Sequence, residues 1–147
     1  MKIVRIPWEQ TIDIRHEVLW PDKPRTFCQV EGDELAAHYG CFVEEILVCV
    51  ASVFVNENQA RLRKFATLES HQHQGIGSAM LNHILEELTK QTVSLFWFDA
   101  RESAIGFYRK FGFEPEGNRF FKGNIPYVKM AKRLGLSEYL QTLTIGC

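Results

Sequence analysis

Hydrophobic and polar positions along the chain switch between a period of two and a period near 3.6. Residues 2–6 read as a first strand. Residues 8–20 carry Trp8, Ile12, Arg15 and Leu19 on one face, as an amphipathic helix does, until Pro21 and Pro24 stop it. The polar, proline-containing stretch 21–36 reads as loop with at most one more helical turn. Strands follow at 37–43, 46–55 and 59–67, with Glu44-Glu45 and Asn56-Glu57-Asn58 as turns. Such short turns make an antiparallel meander. Within 59–67, Ala60, Leu62, Lys64 and Ala66 fall on one side and Arg61, Arg63, Phe65 and Thr67 on the other.

Ile76, Met80, Leu81, Ile84, Leu85 and Leu88 then recur at helical spacing, which predicts a helix over 75–90, followed by a strand at 92–98. Asp99-Ala100-Arg101-Glu102 has the spelling of a capping box with Asp99 as the cap. It opens a helix that buries Ala104, Ile105, Phe107, Tyr108 and Phe111 and stops at Gly112. Residues 113–117 and 127–132 read as closing strands around a loop at 117–126, and 137–143 as a further amphipathic turn. The strand 59–67, its helix and the strand 92–98 form a βαβ crossover, so those two strands are expected parallel and the rest antiparallel. The fold class is α/β (α+β mixed sheet), mainly antiparallel, with helices on both faces.

Composition narrows this picture only a little. The 147 residues suit one domain, with a core over about 1–134 and a tail at 135–147. Seventeen basic against 18 acidic residues leave a formal charge of −1, so no basic excess points to nucleic acid or an anionic membrane. The longest apolar run, 46–55, is too short to span a bilayer, and MKIVRIPWEQ reads as strand and turn rather than a signal peptide. Cys28, Cys41, Cys49 and Cys147 show no CxxC spacing and read as free thiols in a reducing cytoplasm. His71 and His73 stand without the companions a metal site needs, so no metal is expected.

The candidate chemistry starts at Gln72-His73-Gln74-Gly75-Ile76-Gly77, where a strand gives way to a helix. A helix N-terminus offers unpaired N–H groups and partial positive charge, and glycines let a phosphate approach them. The two glycines serve either such a cradle or merely a tight turn. Two known nucleotide spellings fail: Met80 stands where GxGxxG needs its third glycine, and no Gly-Lys-Ser/Thr follows for a P-loop.

Gln72-x-x-Gly75-x-Gly77 resembles the acyl-coenzyme A signature of the GNAT superfamily of N-acetyltransferases. Ala104-Ile-Gly-Phe107-Tyr108-Arg-Lys-Phe-Gly112-Phe113 resembles its second hallmark, and GNIPYVKMAKRL its closing strand. The resemblance covers roughly residues 35–134. It implies that strands 59–67 and 92–98 splay apart to hold coenzyme A. The pantetheine arm would bond to the backbone of Phe65, Ala66 and Thr67, and the pyrophosphate would sit on Gln72, His73, Gln74, Gly75, Ile76, Gly77 and Ser78. Ser103 and Phe107 would border the cofactor, and Arg61, Arg63 and Lys64 would add positive charge or simply form a solvated face. An N–H near Ala66 or Thr67 would stabilise the oxyanion.

Tyr108 matches the superfamily's proton donor to the departing thiolate, its other role being core packing. The implied reaction is transfer of acetyl from acetyl-CoA to a primary amine, on a small molecule or a peptide; the alternative is an acyl-CoA sensor without turnover. Asp99 departs from the usual Asn, and a carboxylate cannot donate to a pantetheine carbonyl. The general base is unassigned: Glu69, just past the strand end, is a candidate or a solvated loop carboxylate; His38 and Tyr39 on a strand bordering the acceptor pocket, and Arg15, His16 and Glu17 on the helix that roofs it in the superfamily, read otherwise as ordinary surface or packing residues. Trp20, Trp97 and Phe120 line an apolar pocket or fill the core. A homodimer is compatible with the tail.

Overall fold

A computed structural model describes residues 1–135. The turn expected at 137–143, with Leu136 before it, and Cys147 lie outside the described residues. Strands β1 (Lys2–Ile6), β2 (Ala37–Val43), β3 (Ile46–Asn56), β4 (Gln59–Thr67), β5 (Leu95–Arg101), β6 (Glu114–Lys122) and β7 (Ile125–Arg133) form one mixed sheet in the order β1-β2-β3-β4-β5-β7-β6. β4 and β5 pair in parallel, while β1 with β2, β2 with β3, β5 with β7 and β6 with β7 pair antiparallel. The expected mixed sheet with a parallel crossover pair is therefore present.

The chain divides into two compact units, Met1–Phe54 with Leu62–Glu86, and Val55–Arg61 with Glu87 onward. In the first, Ile6, Ile14, Val50 and Ala66 form a buried cluster on which Val4, Val18, Phe42, Leu47 and Leu68 pack. Helix α2 (Ile76–Thr89) buries Met80, Leu81 and Ile84, as its spacing predicts. In the second, Phe96 and Phe98 of β5 meet Phe113, with ring centroids 5.6 and 4.9 Å apart. Helix α3 (Ile105–Arg109) ends at Gly112, whose φ of +88° is the left-handed stop that glycine favours. Cys28, Cys41 and Cys49 are buried free thiols.

Four expectations change. The segment 8–20 is helical but irregular: a 3₁₀ turn at Trp8–Thr11, α1 at Ile12–Ile14 and a π turn at Arg15–Leu19 closed by Trp20 N–H to Arg15 O. The loop at 21–36 holds two 3₁₀ turns, Arg25–Cys28 and Asp33–Leu35. The loop expected at 117–126 is instead a hairpin of β6 and β7; Gly117, at φ +77°, lies where the register shifts between Glu116 and Phe120, a bulge rather than a strand end. The strand expected at 92–98 runs three residues later, through Asp99, so no capping box forms: Asp99 pairs with Lys129 in the ladder and Glu102 binds Arg119.

Candidate active site

β4 passes from one unit to the other. Its parallel register with β5 covers Gln59 to Arg61 against Leu95 to Trp97, and Leu62–Thr67 lie outside it. Lys64, in the middle of the strand, has φ +54°, a left-handed conformation that departs from extended strand geometry. On the β3 side, just past the end of β4, the Leu68 N–H donates to Val48 O at 2.8 Å.

The connection from β4 to α2 then makes a 3₁₀ turn at Glu69–His71 and two left-handed steps, His73 at φ +61° and Gly75 at φ +81°. α2 begins its own bonding with Ala79 N–H to Gly75 O, so the N–H groups of Ile76, Gly77 and Ser78 have no helical partner four residues back. A Cβ on Gly75 would meet nothing within 4 Å, so the glycine faces open space. On Gly77 it would lie 3.5 Å from the Phe65 ring, which joins the β4 edge to the cradle. Gln72, His73, Gln74 and Gly75 are exposed, while Ile76 turns its side chain inward. Gln72 donates its amide N–H to Thr67 O at 3.1 Å and Gln74 to Ser70 O at 3.2 Å, so both side chains brace the loop. Phe65 to Ser78 are thus continuous within the first unit.

Ser103, Phe107 and Tyr108 belong to the second. Ser103 is exposed, and Phe107 lies 5.1 Å from Tyr108, centroid to centroid. The Tyr108 ring rests on Phe98 at 4.4 Å, and burial pushes its phenol up to about 12. Asp99 receives an ion pair from Arg61 at 3.1 Å, and the Arg61 guanidinium lies over Trp97 at 4.6 Å with Lys129 at 4.8 Å. Trp97 is therefore neither core nor open pocket but a cation-holding ring; Phe120 stacks on Tyr127, and Trp20 meets Phe27 edge-on. Arg63 and Lys64 likewise sit over Phe54 and Trp20.

Sequence reasoning misses a buried polar network in the first unit. Arg15, wholly inaccessible, forks onto both oxygens of Asp33 at 2.8 and 3.0 Å and also reaches Cys28 O and Ser52. His38 completes it, with Nδ1 2.7 Å from Ser52 Oγ and Nε2 2.8 Å from Asp33 O. Burial opposes the Asp33 charge, yet the bonds from Arg15 and the Val30 N–H hold its carboxyl below the usual value. Burial pushes His38 below the ordinary histidine range. The one signal was Arg15 on the same stripe as Ile12. His38 and Arg15 are thus parts of the scaffold. Among the described residues no group of three His, Cys, Asp or Glu could hold a metal, and no helix is long and apolar enough to cross a membrane.

Residues 14–134 match the family model described as an acetyltransferase (GNAT) domain. This chain belongs to the GNAT acetyltransferase family. GNAT relatives agree in sequence and in fold. The uncharacterized N-acetyltransferase YitI of Bacillus subtilis is 30% identical over 82% of this chain and 87% of its own length. The ribosomal-protein-S18-alanine N-acetyltransferase of Escherichia coli superposes with a TM-score of 0.75 at 21% identity, over 92% of this chain and 94% of that one. A Bacillus subtilis acetyltransferase solved in complex with CoA superposes with a TM-score of 0.70 at 18% identity, over 90% and 98%.

Proposed function

We propose that this protein transfers an acetyl group from acetyl-CoA to a primary amine. The observation that carries this reading is Gly75: in a GNAT chain, at the entry to α2, it holds φ +81° with open space where a side chain would stand. That is a cradle a Cβ would fill, and it fits a diphosphate on the N–H groups of Ile76, Gly77 and Ser78. Gln72, His73 and Gln74 rim it. The backbone of Phe65, Ala66 and Thr67, beyond the β5 register, would take the amide groups of the pantetheine arm as an added strand.

When bound, the cosubstrate supplies an activated thioester carbonyl. Amide formation would join the amine nitrogen to that carbon, the C–S bond would break with its electron pair on sulfur, and the proton shed by the nitrogen would pass to solvent water. The N–H of Ala66 or Thr67 would stabilise charge on the carbonyl oxygen. Tyr108 would donate a hydrogen bond to the leaving sulfur. With its phenol near 12, well above a thiol near 8.5, the bond stabilises the thiolate without a complete proton transfer. Ser103 and Phe107 flank that position in sequence and would border the cofactor.

The test is calorimetry with acetyl-CoA combined with thiol release over a panel of amines. Binding with amine-dependent thiol release supports the proposal. Binding without acceptor-dependent release would favour the sensor, and no binding at millimolar acetyl-CoA would overturn both.

A further inference from the structure

The first unit contains a cavity of about 520 Å³ lined by Glu17 and Val18 of the π turn and by Leu68, Glu69, Ser70 and Gln72 of the connection to the cradle. Its apolar part is fixed, because Val18 and Leu68 pack against the buried cluster of Ile6, Ile14, Val50 and Ala66. Its charge is one-sided: two carboxylates on two different elements line it, and no Lys or Arg does. Among the described residues neither the Glu17 nor the Glu69 side chain has a hydrogen-bond or ion-pair partner. Glu17 lies on the same π turn as Arg15, two positions earlier, whose side chain is locked by its fork onto Asp33. Glu69 lies two residues beyond Thr67, the end of β4.

We propose that this cavity selects the acceptor, and that the acceptor is a linear diamine or polyamine. The proposal rests on the acyl-transfer reading above. A protonated second amine would be drawn to Glu17 and Glu69, while the methylene chain lies over Val18 and Leu68. A monoamine of the same length satisfies only the apolar part, and an amino acid places a carboxylate against two others. Specificity then comes as much from repulsion as from attraction. Because both carboxylates are exposed, the preference weakens as salt rises.

Three amines on one four-carbon chain test this: putrescine, n-butylamine and γ-aminobutyrate. For the wild-type protein, kcat/KM is expected to fall about tenfold from the first to the second and further to the third, the scale of one modest charge contact. In Glu17→Gln and Glu69→Gln the putrescine-to-butylamine ratio shrinks, through KM for putrescine, and in the double variant it approaches one. Equal kcat/KM for the three amines in the wild type overturns the inference, as does a variant that lowers all three alike. Calorimetry with acetyl-CoA on the wild-type protein separates the two failures. No cofactor binding removes the acyl-transfer reading and this inference together. Binding with turnover that shows no preference for putrescine overturns the diamine inference on its own account; binding with no turnover of any of the three amines overturns it too, and the wider amine panel then decides between acyl transfer and the sensor.

Discussion

Tyr108 shows how much one residue's surroundings decide its chemistry. Packed on Phe98 and beside Phe107, the phenol keeps its proton through roughly pH 10, where an ordinary tyrosine ionises. A hydrogen-bond donor to a leaving thiolate must hold its proton, so the aromatic packing supports the role. Tyr108→Phe is expected to lower kcat about a hundredfold, the lower range for loss of one hydrogen-bond donor to developing charge, while the acetyl-CoA affinity measured by calorimetry stays nearly constant. Unchanged kcat would remove Tyr108 from the reaction. Asp99 makes the opposite point. Its spelling with Glu102 suggests a helix cap, but the strand runs on through it and Arg61 claims its carboxylate. A short motif is legible only when the element boundary it assumes is the real one.

At the scale of elements, the entry to α2 gathers the proposed cradle into a few residues. Gly75→Val is expected to weaken acetyl-CoA binding at least tenfold by calorimetry, since a branched side chain would project into open space that a diphosphate would use. The left-handed φ adds a backbone cost of about 1–2 kcal/mol, read as a lower urea midpoint. Retained affinity would place the phosphates elsewhere. Much of this architecture was legible beforehand. The alternation in β4 and the helical spacing of α2 survive because each buries one face, and burial writes itself into the hydrophobic period. The β6–β7 hairpin was hidden by Gly117, whose bulge looks like a terminator in one dimension. The left-handed step at Lys64 was hidden for the converse reason, as nothing in a lysine announces a positive φ. In the candidate site the glycines and Tyr108 were legible because their motif is local. The partners of Arg15 were not, because Asp33, His38 and Ser52 come from separate stretches and meet only in the fold.

For the whole molecule, that buried network sets an acid limit on stability. His38 has a folded pKa below its ordinary 6.5, chiefly from burial, with the charges of Arg15 and Arg5 pushing the same way and Asp33 opposing. Above pH 6.5 folded and unfolded chains both carry neutral His38, and no penalty arises. Below it the unfolded chain takes up a proton that the folded chain refuses, so stability falls as pH drops. Asp33 adds a later loss: its folded pKa is depressed, so its contribution is present above 3.8 and disappears as pH falls through the folded value. Urea midpoints measured from pH 8 to pH 4 should decline first below 6.5, and His38→Gln should flatten that first decline.

The path of the chain between its two compact units carries one more consequence. It changes unit at 54/55, again at 61/62 within β4, and a third time at 86/87. Neither unit is a contiguous stretch, so no truncated gene encodes one of them intact. Cutting the gene between residues 61 and 62 yields two polypeptides, each holding an incomplete share of both units, and activity can return only if the halves find each other in solution.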